Sequence, residues 1–206
     1  MDQVVAEAQR LDLIPEKPQG AADATGLSAD GRSSYYAQRI KRFKGKKSGK
    51  TKRYSLPKWP KINGIIHTQS HLIIAASVNE GPSHDSPELP GLIKQASRRL
   101  KLDQLLADSG YDAEEHHRLA RRDHRIRSTV IALNKRNQGR RWPKTKYRRQ
   151  MKKRFPRRVY GQRSQAESTW SRHKRRLGWV LCSKSQQAQV FECENRIMTH
   201  NFMILA

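Results

Sequence analysis

Apolar positions along the chain fall into short runs separated by charge. Residues 21–27 (AADATGL), 62–67 (INGIIH) and 71–78 (HLIIAASV) are rich in small and β-branched side chains and bounded by turn material. They predict three strands, the second and third joined by a tight turn at 68–70. Residues 104–107 (QLLA) and 128–133 (STVIAL) predict two more. Residues 185–205 place Val190, Phe191, Ile197, Met198 and Phe202 at helical intervals, which predicts a helix covering the core. Asp85 with Glu88, and Asp112 with Glu115, have the spacing of capping boxes, so a helix is expected after each pair. Pro87 would sit in the first turn of the former. Residues 1–19 read as the end of a helix and a linker broken by Pro15 and Pro18. The predicted organisation is an N-terminal remnant or linker at 1–19 and one α/β domain at 20–206.

The pattern is most specific from Tyr160 to Lys174. At about 100° per residue, Tyr160, Arg163, Glu167 and Lys174 project at roughly 0, 300, 340 and 320°, within a sector about 60° wide. Ala166, Trp170 and Leu177 fall at roughly 240 to 280°, beside them. One continuous helix is therefore expected to pack with one stripe and present chemistry with the next, stopping at Gly178.

Charge changes the picture more than length does. Forty-three Lys and Arg face eighteen Asp and Glu over 206 residues, a formal net charge of +25. That excess points to a polyanion, with nucleic acid the default partner. The longest apolar run, 72–78, is too short to span a bilayer, and the first residues lack the basic and apolar regions of a signal peptide. The expected location is the cytoplasm. Two basic loops are expected, at 31–61 and 134–158. The first has Phe43, Tyr54 and Trp59 among its cations, and the second carries thirteen Lys or Arg. Within the first, GKKSGKT at 45–51 is not a phosphate-binding loop, because Lys44 stands where the pattern needs glycine. Cys182 and Cys193 are expected to be buried small residues, and His116, His117 and His124 surface side chains.

Against this basic background three acids stand apart: Asp23 within the first strand, Asp108 at the end of the fourth, and Glu167 on the late helix. No Asp or Glu lies between His124 and Ala166. Glu167 is either a helix glutamate paired with Arg163 or a metal ligand beside a nucleic-acid track. Asp23 is either a solvated edge position or part of the same site. Three carboxylates brought together cannot all stay ionised without cations, and Mg²⁺ prefers carboxylate and phosphate oxygens.

Tyr160, Arg163, Glu167 and Lys174 match without gaps the Tyr-x2-Arg-x3-Glu-x6-Lys pattern of bacterial insertion-sequence DDE transposases. Asp23 in DATGL and Asp108 in LLADSGYD resemble that family's first two acids, and His84-Asp85-Ser86 a recurrent segment after its third strand. The resemblance implies a ribonuclease H-like mixed five-stranded sheet flanked by helices. It implies that Asp23, Asp108 and Glu167 are catalytic and hold two Mg²⁺ ions, with Mn²⁺ able to substitute. Tyr160, Arg163 and Lys174 would then contact DNA. The implied activity is metal-dependent cleavage at transposon ends and strand transfer to target DNA, with a homodimer in the synaptic complex.

Two departures bear on activity. Only 22 residues precede Asp23, where relatives usually carry an end-recognition region, so a truncated copy or the second half of a split reading frame is expected. The 59-residue separation of Asp108 and Glu167 leaves no room for the β insertion some relatives have there. The alternatives are a catalytically silent remnant that binds DNA and a basic structural nucleic-acid-binding protein.

Overall fold

A computed structural model describes residues 1–29, 58–134 and 142–206. Five strands form one mixed sheet: β1 (Gln19–Gly26), β2 (Trp59–His67), β3 (Ile73–Gly81), β4 (Gln104–Ala107) and β5 (Ser128–Ile131), in the order β3-β2-β1-β4-β5. β1, β2 and β3 pair antiparallel, whereas β4 and β5 extend the sheet in parallel from β1. This is the mixed five-stranded α/β architecture expected. β1 is therefore central, and the edge position considered for Asp23 does not hold.

Helices cover both faces. On one side α1 (Asp2–Arg10) and α2 (Leu89–Arg99) bury Val4, Val5, Ala8, Leu92 and Ile93 against Ala22, Ile65 and Leu105. On the other, α6 (Ser164–Leu177) and α7 (Gln186–Leu205) bring Ala166, Trp170, Cys193 and Ile197 onto Ala21, Ile62, Ile66 and Leu106. Neighbouring residues of β1 thus enter opposite cores, as the period of two requires. Between them in sequence lie α3 (Glu114–Arg118), α4 (Lys146–Lys153) and α5 (Arg157–Gly161). Among the described residues no helix is long and apolar enough to cross a membrane.

Side chains of α7 complete the backbone bonding. Asn201, fully buried, accepts from Ile73 N–H at 2.9 Å and donates to Ile73 C=O at 2.8 Å, which satisfies an edge strand that would otherwise be orphaned. Arg196 donates to the carbonyls of Gly178 and Val180, and Glu192 accepts from the N–H groups of Cys182 and Ser183. The loop leaving α6 is held by these two residues, and it returns to bridge Ser28 through Val180.

Several expectations are corrected. Neither capping box forms. Asp85 pairs with Lys61, while Glu88 accepts from Ser77 Oγ and Asn79 Nδ2 on β3. Asp112 is drawn instead to Arg148. In each case a cation or side-chain donor from another element outcompetes the local N–H. The described part of the second basic stretch, residues 142–158, is not a loop throughout, since α4 lies within it and α5 begins there; residues 135–141 lie outside the described residues. The continuous helix from Tyr160 is broken: α5 ends at Gly161, whose carbonyl accepts from Ser164 Oγ at 2.9 Å, and α6 begins afresh at Ser164. His116 and His117 are buried, bonded to Tyr111 C=O and Thr129 Oγ1, and Cys182 is exposed. Cys193 is buried as expected. Residues 31–57 of the first basic stretch, with the 45–51 segment, lie outside the described residues, and Trp59 onward is strand β2.

Candidate active site

The parallel pairing of β1 and β4 ends at Ala22 opposite Ala107, and the next residues on the two strands are Asp23 and Asp108. Asp23 shares the face of Ala21, the face covered by α6. Gly64 lies opposite it on β2. A side chain at Gly64 would meet the Trp170 ring at 3.1 Å, so the glycine is what lets α6 settle close to Asp23. Asp108 closes β4 in extended conformation, and its Oδ1 accepts from Gly110 N–H at 2.7 Å, shaping the turn at Ser109–Tyr111.

Glu167 stands in the first turn of α6 with 55% of its side chain exposed. Arg163 lies between it and the sheet. Its guanidinium donates to Glu167 Oε1 at 2.5 Å and comes to 3.9 Å from Asp23 Oδ1, with only 17% of the side chain exposed. Tyr160 completes this corner, its ring 5.8 Å below the Arg163 guanidinium and 4.9 Å from that of Phe155. The break at 161–163 leaves the Arg163–Glu167 spacing intact, so these residues still meet. Lys174 does not join them. It is half-buried on α6 seven residues beyond Glu167, roughly 10 Å along the axis, and burial lowers its pKa.

Electrostatics tie the acids together. Burial raises the pKa of Asp23 to about 6. The Ala24 N–H and Arg163 pull it down, while Glu167 and Asp108 push it up. Tyr111, fully buried, feels the same group: burial and then Asp85, Asp23 and Asp108 raise its pKa, and among the described residues its hydroxyl has no hydrogen-bond partner. Among the described residues no three His, Cys, Asp or Glu side chains converge closely enough to form a metal-binding group. Arg163 occupies the place of a cation between Asp23 and Glu167. As a donor set the three carboxylates fit a hard divalent ion, which takes oxygen ligands and would relieve the repulsion that Asp23 feels.

Sequence reasoning missed two partners of this region. Asp85, taken for a helix cap, is held by Lys61, which also donates to Ser83 C=O at 2.5 Å. Asp112, four residues beyond Asp108, accepts a two-pronged bond from Arg148 at 2.8 Å for each contact. An available signal was that the basic stretch needs acids to hold it and that few lie near in sequence.

A family model described as a transposase DDE domain matches residues 14–202. No curated protein matches the chain. A solved structure, the cryo-EM structure of a piggyBac transposase synaptic complex with hairpin DNA, is similar at 10% identity with a TM-score of 0.52, over 99% of this chain and 52% of that one. The likeness is one of fold, and the chain spans about half the length of that relative.

Proposed function

Because the chain belongs to the transposase DDE domain family, we propose that it cleaves DNA at the ends of a mobile element and joins the freed 3′ hydroxyl to target DNA. The reading rests on one observation above all: Asp23 and Asp108 follow directly on the last paired positions of two adjacent parallel strands, with Glu167 linked to Asp23 through Arg163. Asp23, Asp108 and Glu167 would hold Mg²⁺ or Mn²⁺. When bound, two such ions activate the attacking oxygen and stabilise the leaving one in phosphodiester chemistry.

The chain's own residues prepare this site. Asp23 and Asp108 are fixed by the sheet, Asp23 by its central strand and Asp108 by the bond from Gly110. Glu167, exposed and held among the described residues by Arg163, is the adjustable member. A DNA phosphate offers Arg163 a stronger partner than a half-solvated carboxylate, so DNA entering the site draws the guanidinium away and releases Glu167 toward the strand acids. Tyr160 stacks on a base or donates to a phosphate, and Lys174 contacts the backbone farther along α6. The catalytic unit is residues 20–206, with α1 packed against it. The finer assignment is to the insertion-sequence group with the Tyr-x2-Arg-x3-Glu-x6-Lys signature, acting as a homodimer when two ends are paired.

The test is nicking of DNA carrying the element's terminal inverted repeats in the presence of Mg²⁺ or Mn²⁺. Metal-dependent cleavage is expected in the wild type and none in Asp108→Ala, while Glu167→Gln binds DNA with near-native affinity and does not cut it. Removal of the metal by chelation should stop cleavage in the wild type. Cleavage at the native rate by either variant would sink the assignment, and DNA binding without cleavage by the wild type would leave a silent member of the family.

A further inference from the structure

The acid that follows the fourth-strand turn has no part in the proposed chemistry, yet its side chain is almost wholly buried. The Asp112 side chain is 1% exposed. Its two oxygens accept from Nε and Nη2 of Arg148, at 2.8 Å each, and Oδ2 also accepts from the N–H of Asn134 at 2.8 Å. Asn134 follows β5 and Arg148 lies in α4, so one carboxylate holds the basic stretch at its start and again at α4. Glu114 adds a second grip. It accepts from the N–H groups of Tyr147 and Arg148, capping the first turn of α4 from 33 residues away. Tyr147 is then held between the His117 ring at 5.8 Å and the Arg121 guanidinium at 4.7 Å.

Helix α4 needs this anchoring. Only Tyr147 and Met151 of KYRRQMKK are buried, and the chain carries a net charge of +25. Two apolar anchors alone would leave a strongly cationic helix to be repelled by the rest of the surface. A buried ion pair is a poor source of stability compared with apolar packing, but a two-pronged bond fixes direction. With Arg148 turned inward, Lys146, Arg149, Lys152 and Lys153 are turned out to solvent. The grip lies at the same end of the sheet as Asp108, since Ala132 N–H bonds to Ala107 C=O just before the stretch begins.

We propose that Asp112, assisted by Glu114, is a positioning residue for DNA: it holds α4 beside the carboxyl ends of β4 and β5 so that the outward cations form a phosphate track leading to Asp108. The inference rests on DNA being the partner, as proposed above, but not on cleavage.

The experiment measures affinity for a duplex of arbitrary sequence as a function of salt, in wild type, Asp112→Asn and Arg149→Gln/Lys152→Gln. Each phosphate contact contributes about 0.9 to the log–log slope, so the double substitution should lower the wild-type slope by about 2. Asp112→Asn should lower it by a similar amount, and in that background the double substitution should add little further. An effect of Asp112 on folding alone would lower the melting temperature and leave the slope where it was. An unchanged slope in Asp112→Asn, or full additivity of the two sets of substitutions, would overturn the proposal. Should Asp112→Asn not fold, Arg148→Lys keeps the charge and loses the two-pronged geometry; it should give a reduced slope, and an unaltered one would be equally fatal. A wild type that binds steeply with salt but never nicks inverted-repeat DNA removes the cleavage reading and leaves the positioning role standing. Asp112→Asn that binds and nicks as the wild type does the reverse.

Discussion

Arg163 is the side chain on which the candidate site turns, because it holds one oxygen of Glu167 and faces Asp23 at 3.9 Å. A unit charge at about 4 Å is worth several kcal/mol at an effective dielectric of 20, so a guanidinium there competes directly with a metal ion. Arg163→Met should therefore bind Mn²⁺ on the order of tenfold more tightly than wild type without DNA, as read by calorimetry or by loss of the free-ion resonance. The same variant should cut DNA more slowly, having lost a phosphate contact. Weaker Mn²⁺ binding would mean that Arg163 orients Glu167 for the ion. A second group of side chains governs acid stability. His67, His117 and His173 are fully buried, and burial lowers each pKa to about 4. The folded values lie below the ordinary 6.5, so the native state binds fewer protons than the unfolded chain between those limits. Their favourable contribution is complete above pH 6.5 and is lost as pH falls toward 4, by about 3 kcal/mol per residue on that shift. Denaturant melts at pH 7.5 and 5 should differ sharply, and His173→Gln should reduce the difference by about a third; equal stability at both values would refute it.

Strands and helices show where sequence patterns carry and where they stop. β4 is found over the residues expected, 104–107, and α7 begins one residue after its predicted start, at Ser185, whose hydroxyl caps it by accepting from Ala188 N–H. These elements are specified locally, by a bounded apolar run and by a cap. Helix α4 was not legible, because its capping carboxylate, Glu114, is distant in sequence and only Tyr147 and Met151 mark its inner face. Likewise Asp85 and Asp112 had the spacing of caps, but what their side chains bond to was decided by Lys61 and Arg148 arriving from elsewhere. The acids proposed for the site stand out in the sequence as isolated charges and through a family pattern; that Arg163 would link two of them depended on how α6 meets β1. That meeting is set by Gly64 under Trp170. Gly64→Ala would place a methyl 3.1 Å from that ring, and should cost about 1–3 kcal/mol in a denaturant melt and reduce cleavage more than DNA affinity by displacing Glu167. Native cleavage in a protein so destabilised would show that the seat of α6 does not matter to the site.

Charge is the property that no single element explains. Ion pairs such as Arg10–Glu7, Lys58–Glu80 and Arg98–Asp2 leave the net +25 unchanged, because their acids are already counted in it. Exposed pairs of this kind contribute little, whereas like charges spread over a domain of this size repel one another and favour the expanded chain. Two opposite responses to salt follow. Without DNA, raising the ionic strength from 0.05 to about 0.5 M shortens the screening distance and should raise the melting temperature. With a non-specific duplex in excess, the folded state gains the linkage term of a bound polyanion, so the melting temperature at low salt should stand well above that of the free protein. Added salt then weakens the complex steeply and should bring the melting temperature down until the two curves meet. Scanning calorimetry across that series, with and without duplex, reads both trends in one experiment. Converging curves would show that the basic surface is built to be neutralised by a phosphate backbone. Curves that rise together, with no gain from DNA at low salt, would mean that the folded surface does not present its cations to a duplex, and the transposase reading would lose its partner.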